Sequence, residues 1–439
     1  MSFLRAGSAL GLLVVATVQA SAGALSVREQ STFGQGASFA GIAAGGSVSS
    51  MFWNPATMTQ APGKAIELDT TALFPYASNT PLAGSTLLGF GLGGTSNTGQ
   101  QALVPAAYLS YQLNPNLWVG LSINAPFGLS VSFPSLWAGR DYAAGDSHLR
   151  TYNATPSFAY RFNDWISVGA GVQIQYADAA LARGPTRVIP NPNGGSFLLP
   201  LNANLSGYGW GFGFTAGVTL TPTPTTTIGV GYRSAINQDI DGSLGVFGPP
   251  PAPSTSTSVS TTLNLPDMVS LGIRQRVDPR WILMGTVEWT NWSRIGTANV
   301  VTPSGATATT LPFQFRDGWF FSLGAEYQWT DRLAVRGGVG YEISPVTDAV
   351  RIPVLPDNDR IWLSVGTTWA LMKDLYADLA YSHLFVRSTS INITAASGNP
   401  WFDGIGYVGD VNAHVDILSI ALKYRWGGPE PAKKLLITK

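Results

Sequence analysis

The sequence predicts an all-β fold, a fourteen-stranded antiparallel transmembrane β-barrel, on three observations: hydrophobic side chains recur with a period of two, charged residues are scarce, and turn signals alternate between short and long. Charged residues make up 11% of the 439 positions, against roughly 25% in soluble globular proteins. Mean hydropathy is positive. Yet past the N-terminus no apolar run reaches the ~18 residues a membrane helix needs. A chain that is apolar overall without long apolar runs has spread its hydrophobic residues singly, as strands facing lipid on one side do. A soluble sandwich or propeller would need charged outer faces that this chain lacks.

Each element follows from that period. Ile166, Val168, Ala170, Val172, Ile174 and Tyr176 alternate with Ser167, Gly169, Gly171, Gln173 and Gln175. Leu418, Ile420, Leu422, Tyr424 and Trp426 likewise alternate with Ser419, Ala421, Lys423 and Arg425. Charges fall on the small-residue face, which in a membrane barrel is the lumen. Short turns are expected at Asn114-Pro115-Asn116, Asn163-Asp164, Thr221 to Thr225, Asp278-Pro279, Thr330-Asp331 and Met372 to Asp374. These join twelve strands, and strands near 64–77 and 411–426 complete fourteen. Long, Gly/Pro/Ser/Thr/Asn-rich connections are expected near 78–101, 127–149, 180–206, 236–260, 295–315, 345–358 and 390–410.

The N-terminus reads as an export signal, residues 1–22: Arg5 precedes an apolar stretch from Ala9 to Val18 and the small-residue pattern Ala20-Ser21-Ala22. With the barrel, this points to a bacterial outer membrane. Absence of cysteine excludes disulfides and thiolate metal sites, and a formal net charge of zero gives no reason to expect nucleic acid. Residues 23–62 do not alternate and are dense in small residues. Gly34 and Gly36 permit close packing, Asn54-Pro55 biases Asn54 to extended backbone, and Phe33, Phe39, Met51, Phe52 and Trp53 supply anchors. On these grounds two readings stand, a compact plug inside the lumen or a periplasmic leader. Residues 63–426 form the barrel, and 427–439 a periplasmic tail.

The residues also carry a resemblance. Leu25-Ser26-Val27-Arg28-Glu29, then Gly34-Gln35-Gly36-Ala37-Ser38-Phe39-Ala40-Gly41, closing on Ser50-Met51-Phe52-Trp53-Asn54-Pro55-Ala56, resembles the N-terminal hatch of the FadL/TodX family of outer-membrane transporters. Ala125-Pro126-Phe127-Gly128-Leu129, Pro156-Ser157-Phe158-Ala159-Tyr160-Arg161 and Leu355-Pro356-Asp357-Asn358-Asp359-Arg360 are similar to further family patterns in the same order. The resemblance implies a hatch inside the lumen, with Gly34, Gly36, Asn54, Pro55 and Ala56 as its marker positions. It implies passive uptake of long-chain fatty acids or other hydrophobic compounds, caught by extracellular loops and released sideways where the third strand kinks. Asn124, Ala125, Pro126, Phe127 and Gly128 fall at that kink. Gly45-Gly46-Ser47 departs from the acidic residue many relatives carry, and the thirteen residues after Trp426 depart from barrels that end on a terminal aromatic.

Ligand contacts are expected from the second long loop, unusually apolar at Phe127, Leu129, Phe133, Leu136 and Trp137, which either binds ligand or packs on itself over the mouth. Parity turns Arg360 and Trp362 inward, and Arg140 sits beside the apolar loop. Both arginines are candidates for a carboxylate headgroup, Arg360 being weighed against an ion pair with Asp357 or Asp359. Lumen charges Arg274, Arg276, Glu288, Glu326, Arg336 and Asp378 are expected to pair or to hold the hatch. The three histidines, His148, His383 and His414, form no nucleophilic dyad, and phosphate-loop, dinucleotide and zinc signatures are absent, so no enzyme and no cofactor is expected. The expected partners are a hydrophobic small molecule, outer-membrane lipid and the barrel assembly machinery, with the chain a monomer. An adhesin or structural barrel, or a small-solute porin, are the alternatives.

Overall fold

The computed structural model describes residues 24–249 and 254–428; the expected signal peptide, and the expected tail from 429 onward, lie outside the described residues. Fourteen strands form one closed antiparallel sheet. Strand β1 is Lys64–Pro81, β2 Ala102–Asn114, and β3 runs in two pieces, Leu117–Asn124 and Gly128–Phe133. Next come β4 Gly145–Arg161, β5 Ile166–Arg183 and β6 Asn202–Thr223. Strands β7 (Thr226–Arg233, Ile236–Phe247), β8 (Thr255–Leu265, Met268–Arg276), β9 (Trp281–Thr290, Thr297–Val301) and β10 (Thr307–Pro312, Gly318–Thr330) are each interrupted once. The last four are β11 Leu333–Ile343, β12 Arg360–Met372, β13 (Leu375–Val386, Thr389–Ile393) and β14 Tyr407–Trp426. The sheet closes where β14 pairs with β1, from Lys64↔Trp426 to Pro81↔Gly409, so neither terminal strand is left as a free edge.

The alternation read from sequence sets the two faces. On β14, Leu418, Ile420, Leu422 and Tyr424 are exposed while Ser419, Ala421 and Lys423 are buried. On β6, Tyr208, Trp210, Phe212 and Phe214 form an exposed apolar column whose inward neighbours include Gly207, Gly209, Gly211 and Gly213. All six expected short turns fall between paired strands. Three expected loops, 127–149, 236–260 and 295–315, are instead largely strand: β3 continues to Phe133, β7 to Phe247, β8 begins at Thr255 and β9 runs to Val301. These extensions leave the lipid zone, so the backbone ladder persists while the outward face turns to Ser, Thr and Asp and the hydrophobic period disappears. Within 180–206 a separate hairpin, Thr186–Pro190 with Ser196–Pro200, also forms.

Residues 24–62 fill the lumen and are almost wholly buried. A one-turn helix, α1 (Thr32–Gln35), is capped by the Ser31 hydroxyl, which accepts from the Gly34 N–H at 2.9 Å. Three 3-10 turns follow, Ile42–Ala44, Val48–Phe52 and Pro55–Gln60. Asn54 is extended (φ −150°, ψ 104°) with Pro55 at the first position of the turn, as the Asn-Pro step requires. Its amide reaches the Ala43 carbonyl at 2.8 Å and the Val218 carbonyl on β6 at 2.9 Å, while its side-chain oxygen accepts from Ala56 N–H at 3.0 Å.

The segment touches the wall on all sides. Thr32 N–H donates to Asp69 on β1 (2.7 Å), Ser38 to Ser364 on β12 (2.8 Å), and Gly41 N–H to the Gly285 carbonyl on β9 (3.1 Å). Glu67 accepts from the Ser47 and Ser49 hydroxyls at 2.7 and 2.8 Å. Here the hatch supplies the hydroxyl donors and the acid sits on the wall. Glycines mark where hatch backbone lies against the wall: a Cβ on Gly366 would stand 2.6 Å from the Gly36 Cα, and one on Gly338 or Gly231 would strike Ala37 or Trp53 backbone. The small lumen residues seen in sequence are therefore docking surface. Substituting Gly366→Leu should displace α1 from β12 and raise single-channel conductance in planar bilayers several-fold, with the folded barrel still heat-modifiable on gels; unchanged conductance would show that this contact does not seat the hatch.

Candidate functional site

The strand-to-strand ladder lapses in several intervals, among them Gly209–Phe214 of β6 against β7 and the interval between β2 and β3 that the hatch abuts. In β2, residues 102–106 pair with β1 but have no register partner on β3, whose pairing with β2 begins at Ala107↔Ile123. Between Asn124↔Asn153 and Gly128↔Arg150, three residues of β3 oppose two of β4, a bulge that carries Ala125, Pro126 and Phe127. Pro126 on β3 and Pro105 on β2 have no N–H to offer across the interval. Above it the wall resumes: Ser132 N–H donates to the Thr98 carbonyl (2.9 Å) and Gln100 N–H to Ser130 (3.2 Å).

Hatch backbone takes over the missing ladder on the inner side. Val27 N–H donates to the Pro126 carbonyl at 2.9 Å and Gly128 N–H to the Leu25 carbonyl at 2.8 Å. Gln30 serves both edges. Its amide donates to the Ala125 carbonyl at 2.8 Å, its side-chain oxygen accepts from Ala125 N–H at 3.2 Å, and its backbone carbonyl accepts from the Tyr108 hydroxyl on β2. Asn124 joins by donating to Tyr108 at 2.7 Å. All five residues expected at the kink thus lie in or beside the bulge. Gln30 and Tyr108 carried no local motif and were missed.

Three cavities surround this region. The upper one, about 900 Å³ including its open mouth, is lined by Leu25 of the hatch, Leu129, Leu149, Leu205, Ile240 and Phe313 among other apolar side chains. A second, about 610 Å³, lies along Pro75, Thr98, Leu129 and Val131 and reaches Arg360. The third, about 500 Å³, lies behind the bulge between Val27, Phe52 and Trp53 of the hatch and Pro126, Phe127, Arg233 and Met268 of the wall.

Of the expected ligand residues, Leu129 lines the upper two cavities and Phe127 the third. Phe133 stacks on Trp137 (5.2 Å between centroids), and Trp137 meets Tyr407 edge-on at 5.4 Å. The apolar loop packs on itself over the mouth, leaving Leu136 60% exposed. Arg140 is committed to that loop, donating to Ser135, Thr186 and Leu201. Burial raises the neighbouring Asp141 carboxyl to about 6, where it accepts from Thr186 N–H at 2.7 Å. Arg360 pairs with Asp357, the partner weighed from sequence, and lies 3.8 Å from Glu342. Trp362 donates to Glu342 at 3.0 Å and packs edge-on against Phe39 and Phe320, a hatch contact. Parity gave each the correct face, but it cannot name the partner waiting there.

Five of the six expected lumen charges pair or hold the hatch, whereas Arg276, at the end of β8, is exposed and is not among them. Arg28 of the hatch meets Glu288 at 2.7 Å, Arg336 meets Asp378 at 3.3 Å, and Arg274 and Arg336 lie 3.9 Å from Glu326.

The model of the outer membrane protein transport protein family (OMPP1/FadL/TodX) matches residues 13–426. The chain belongs to this family. It is 28% identical to the long-chain fatty acid transport protein of Escherichia coli O157:H7 over 92% of its own length and 98% of that protein. It is 25% identical to outer membrane protein P1 of Haemophilus influenzae, over 85% of its length and 88% of the relative. The crystal structure of a Pseudomonas aeruginosa FadL homologue superposes with a TM-score of 0.82 at 24% identity, covering 92% of this chain and 100% of that one. The Pseudomonas putida toluene transporter TodX gives 0.65 at 15% identity, covering 87% and 95%. These likenesses establish the fold. As a FadL/TodX member the chain is an outer-membrane transport protein, and its class is transport rather than catalysis.

Gln30 supplies a prediction. Gln30→Ala would leave buried donors and acceptors of Ala125 unpaired, at about 1–3 kcal/mol for each orphaned group. Amide exchange across 124–128 should rise at least tenfold while exchange in β5 and β6 stays unchanged; equal rates in both variants would refute this bridging role.

Proposed function

We propose that this FadL/TodX protein carries long-chain fatty acids or comparable hydrophobic compounds passively across the outer membrane. The observation that carries the reading is an apolar cavity system lying against an interval between β2 and β3 that lacks a strand-to-strand ladder and is bonded by the hatch, in a lumen filled by that hatch. A filled lumen disfavours free passage of water-soluble solutes, which a porin needs. An apolar cavity with few polar groups suits a ligand driven from water by the hydrophobic effect. In this reading the ligand enters beneath the loop cap formed by Phe133, Trp137 and Tyr407 and occupies the upper cavity. The stretch from Leu25 to Gln30 then shifts away from the bulge, and the ligand leaves sideways between β2 and β3 into the bilayer. Leu25 is the pivot, because it lines the cavity and also accepts from Gly128 N–H. The fatty acid transport proteins among the relatives support fatty acids as the substrate class. Likeness to a toluene transporter supports a wider range that includes hydrocarbons. The chain acts as a monomer, inserted by the barrel assembly machinery and surrounded by outer-membrane lipid.

Two experiments test it. Replacing 125–127 with residues that let β3 pair continuously with β2 should lower uptake of oleate by cells at least tenfold with the barrel still folded; undiminished uptake would sink lateral exit. Filling the upper cavity with Ile240→Trp should weaken binding of a long-chain acid to the purified protein at least fivefold, and equal affinity would place the ligand elsewhere.

A further inference from the structure

The third cavity holds a charge that the uptake route has not used. Arg233 ends the first piece of β7 and is 6% exposed. Its guanidinium stacks 4.1 Å above the Phe52 ring, donates to the Phe52 carbonyl at 3.0 Å and bonds the Gln173 side chain. Arg28, Arg336 and Arg360, equally buried, each have a carboxylate partner. No carboxylate lies within ion-pair distance of Arg233 among the described residues. Glu288 lines the same cavity but is already bound, accepting from Arg28 at 2.7 Å and from the Ser270 hydroxyl at 2.6 Å.

A buried cation held only by neutral acceptors keeps its net charge uncompensated in a low-dielectric site, and an incoming anion relieves that. The walls around it are Phe52, Trp53, Phe127, Ile236 and Met268, with Pro126 of the bulge alongside. Arg28 also lines this cavity but is paired with Glu288, which leaves Arg233 as the one uncompensated cation beside these apolar walls, a match for a molecule with one anionic head and an apolar body. A guanidinium is the side chain suited to a carboxylate because its planar N–H groups meet two oxygens at once. We propose that Arg233 is a carboxylate-binding subsite behind the bulge, which selects amphipathic acids over neutral hydrocarbons at the last internal stop before the opening between β2 and β3. The proposal rests on the uptake reading above. It moves the headgroup role from Arg140 and Arg360, whose bonds are taken, to a residue with charge to spare.

The test measures binding of oleate and of oleyl alcohol to detergent-purified full-length protein by equilibrium dialysis. Arg233→Gln can keep a donor toward the Phe52 carbonyl but removes the charge; Arg233→Lys keeps the charge. Expected results are an oleate affinity at least tenfold weaker in R233Q, an oleyl alcohol affinity changed less than twofold, and recovery of most oleate binding in R233K. Heat-modifiable gel migration confirms that each barrel is folded. Unchanged oleate binding in R233Q overturns the subsite. So does an equal loss of both ligands in a folded barrel, which would make Arg233 a support for the hatch alone. Wild-type protein that binds neither ligand removes the uptake reading, and with it this one.

Discussion

The constraint on which the structure depends is that backbone polar groups shut away from water must find partners. A closed ladder of fourteen strands meets it along most of the wall, and other groups must meet it where the ladder lapses, as around Ala125 to Phe127. There the wall lacks two proline N–H donors and carries one residue too many, so strand pairing cannot continue. The hatch supplies what is missing through Val27, Leu25 and Gln30. Plug and wall are therefore one hydrogen-bonded system at this point, and the same contacts that hold the hatch also stabilise the irregular strand.

Packing follows from the same arrangement. A lumen lined by large side chains would leave no room for a forty-residue insert, and an open lumen lined by glycine would be unstable for lack of contacts. Glycines on β7, β11 and β12 admit hatch backbone to direct contact with the wall, while Phe33, Phe39, Phe52 and Trp53 fill the space between. The buried ions are divided by role: Glu67, Asp69 and Glu288 receive hatch donors, and Arg336 and Lys423 share Asp378 and both face the Phe33 ring. Arg233 stands apart from both sets.

Much of this was legible in the chain. Alternation in β5 and β14 gave the faces, Asn, Asp and Pro at the short turns gave the pairing, and the resemblance around Pro126 gave the break. Extensions such as Thr255 to Ser260 were read as loop because the hydrophobic period lapses there, although their ladder with β7 continues. The cavities were harder. Phe133 and Trp137 are apolar for the sake of their own loop, and Arg140 looks like a free cation until its acceptors are located 5 to 61 positions away. The inward parity of Arg233, shared with Gly229 and Gly231, would have put it in the lumen. Its lack of a counter-charge is a property of the folded arrangement that no spacing encodes.

The joint between β1 and β14, where the two ends of the barrel chain meet, is reinforced from within. Thr32 binds Asp69 on one side, Gln35 binds the Ile417 carbonyl and the Ser419 hydroxyl on the other, and Thr71 meets Ser419 directly at 2.7 Å. Helix α1 thus acts as a clasp laid across the seam. A barrel strained from inside yields at its weakest joint, and this clasp removes the seam from contention. It also makes closure a three-body contact: the last strand meets a first strand and a hatch turn at the same place, so one short helix touches both sides of the seam.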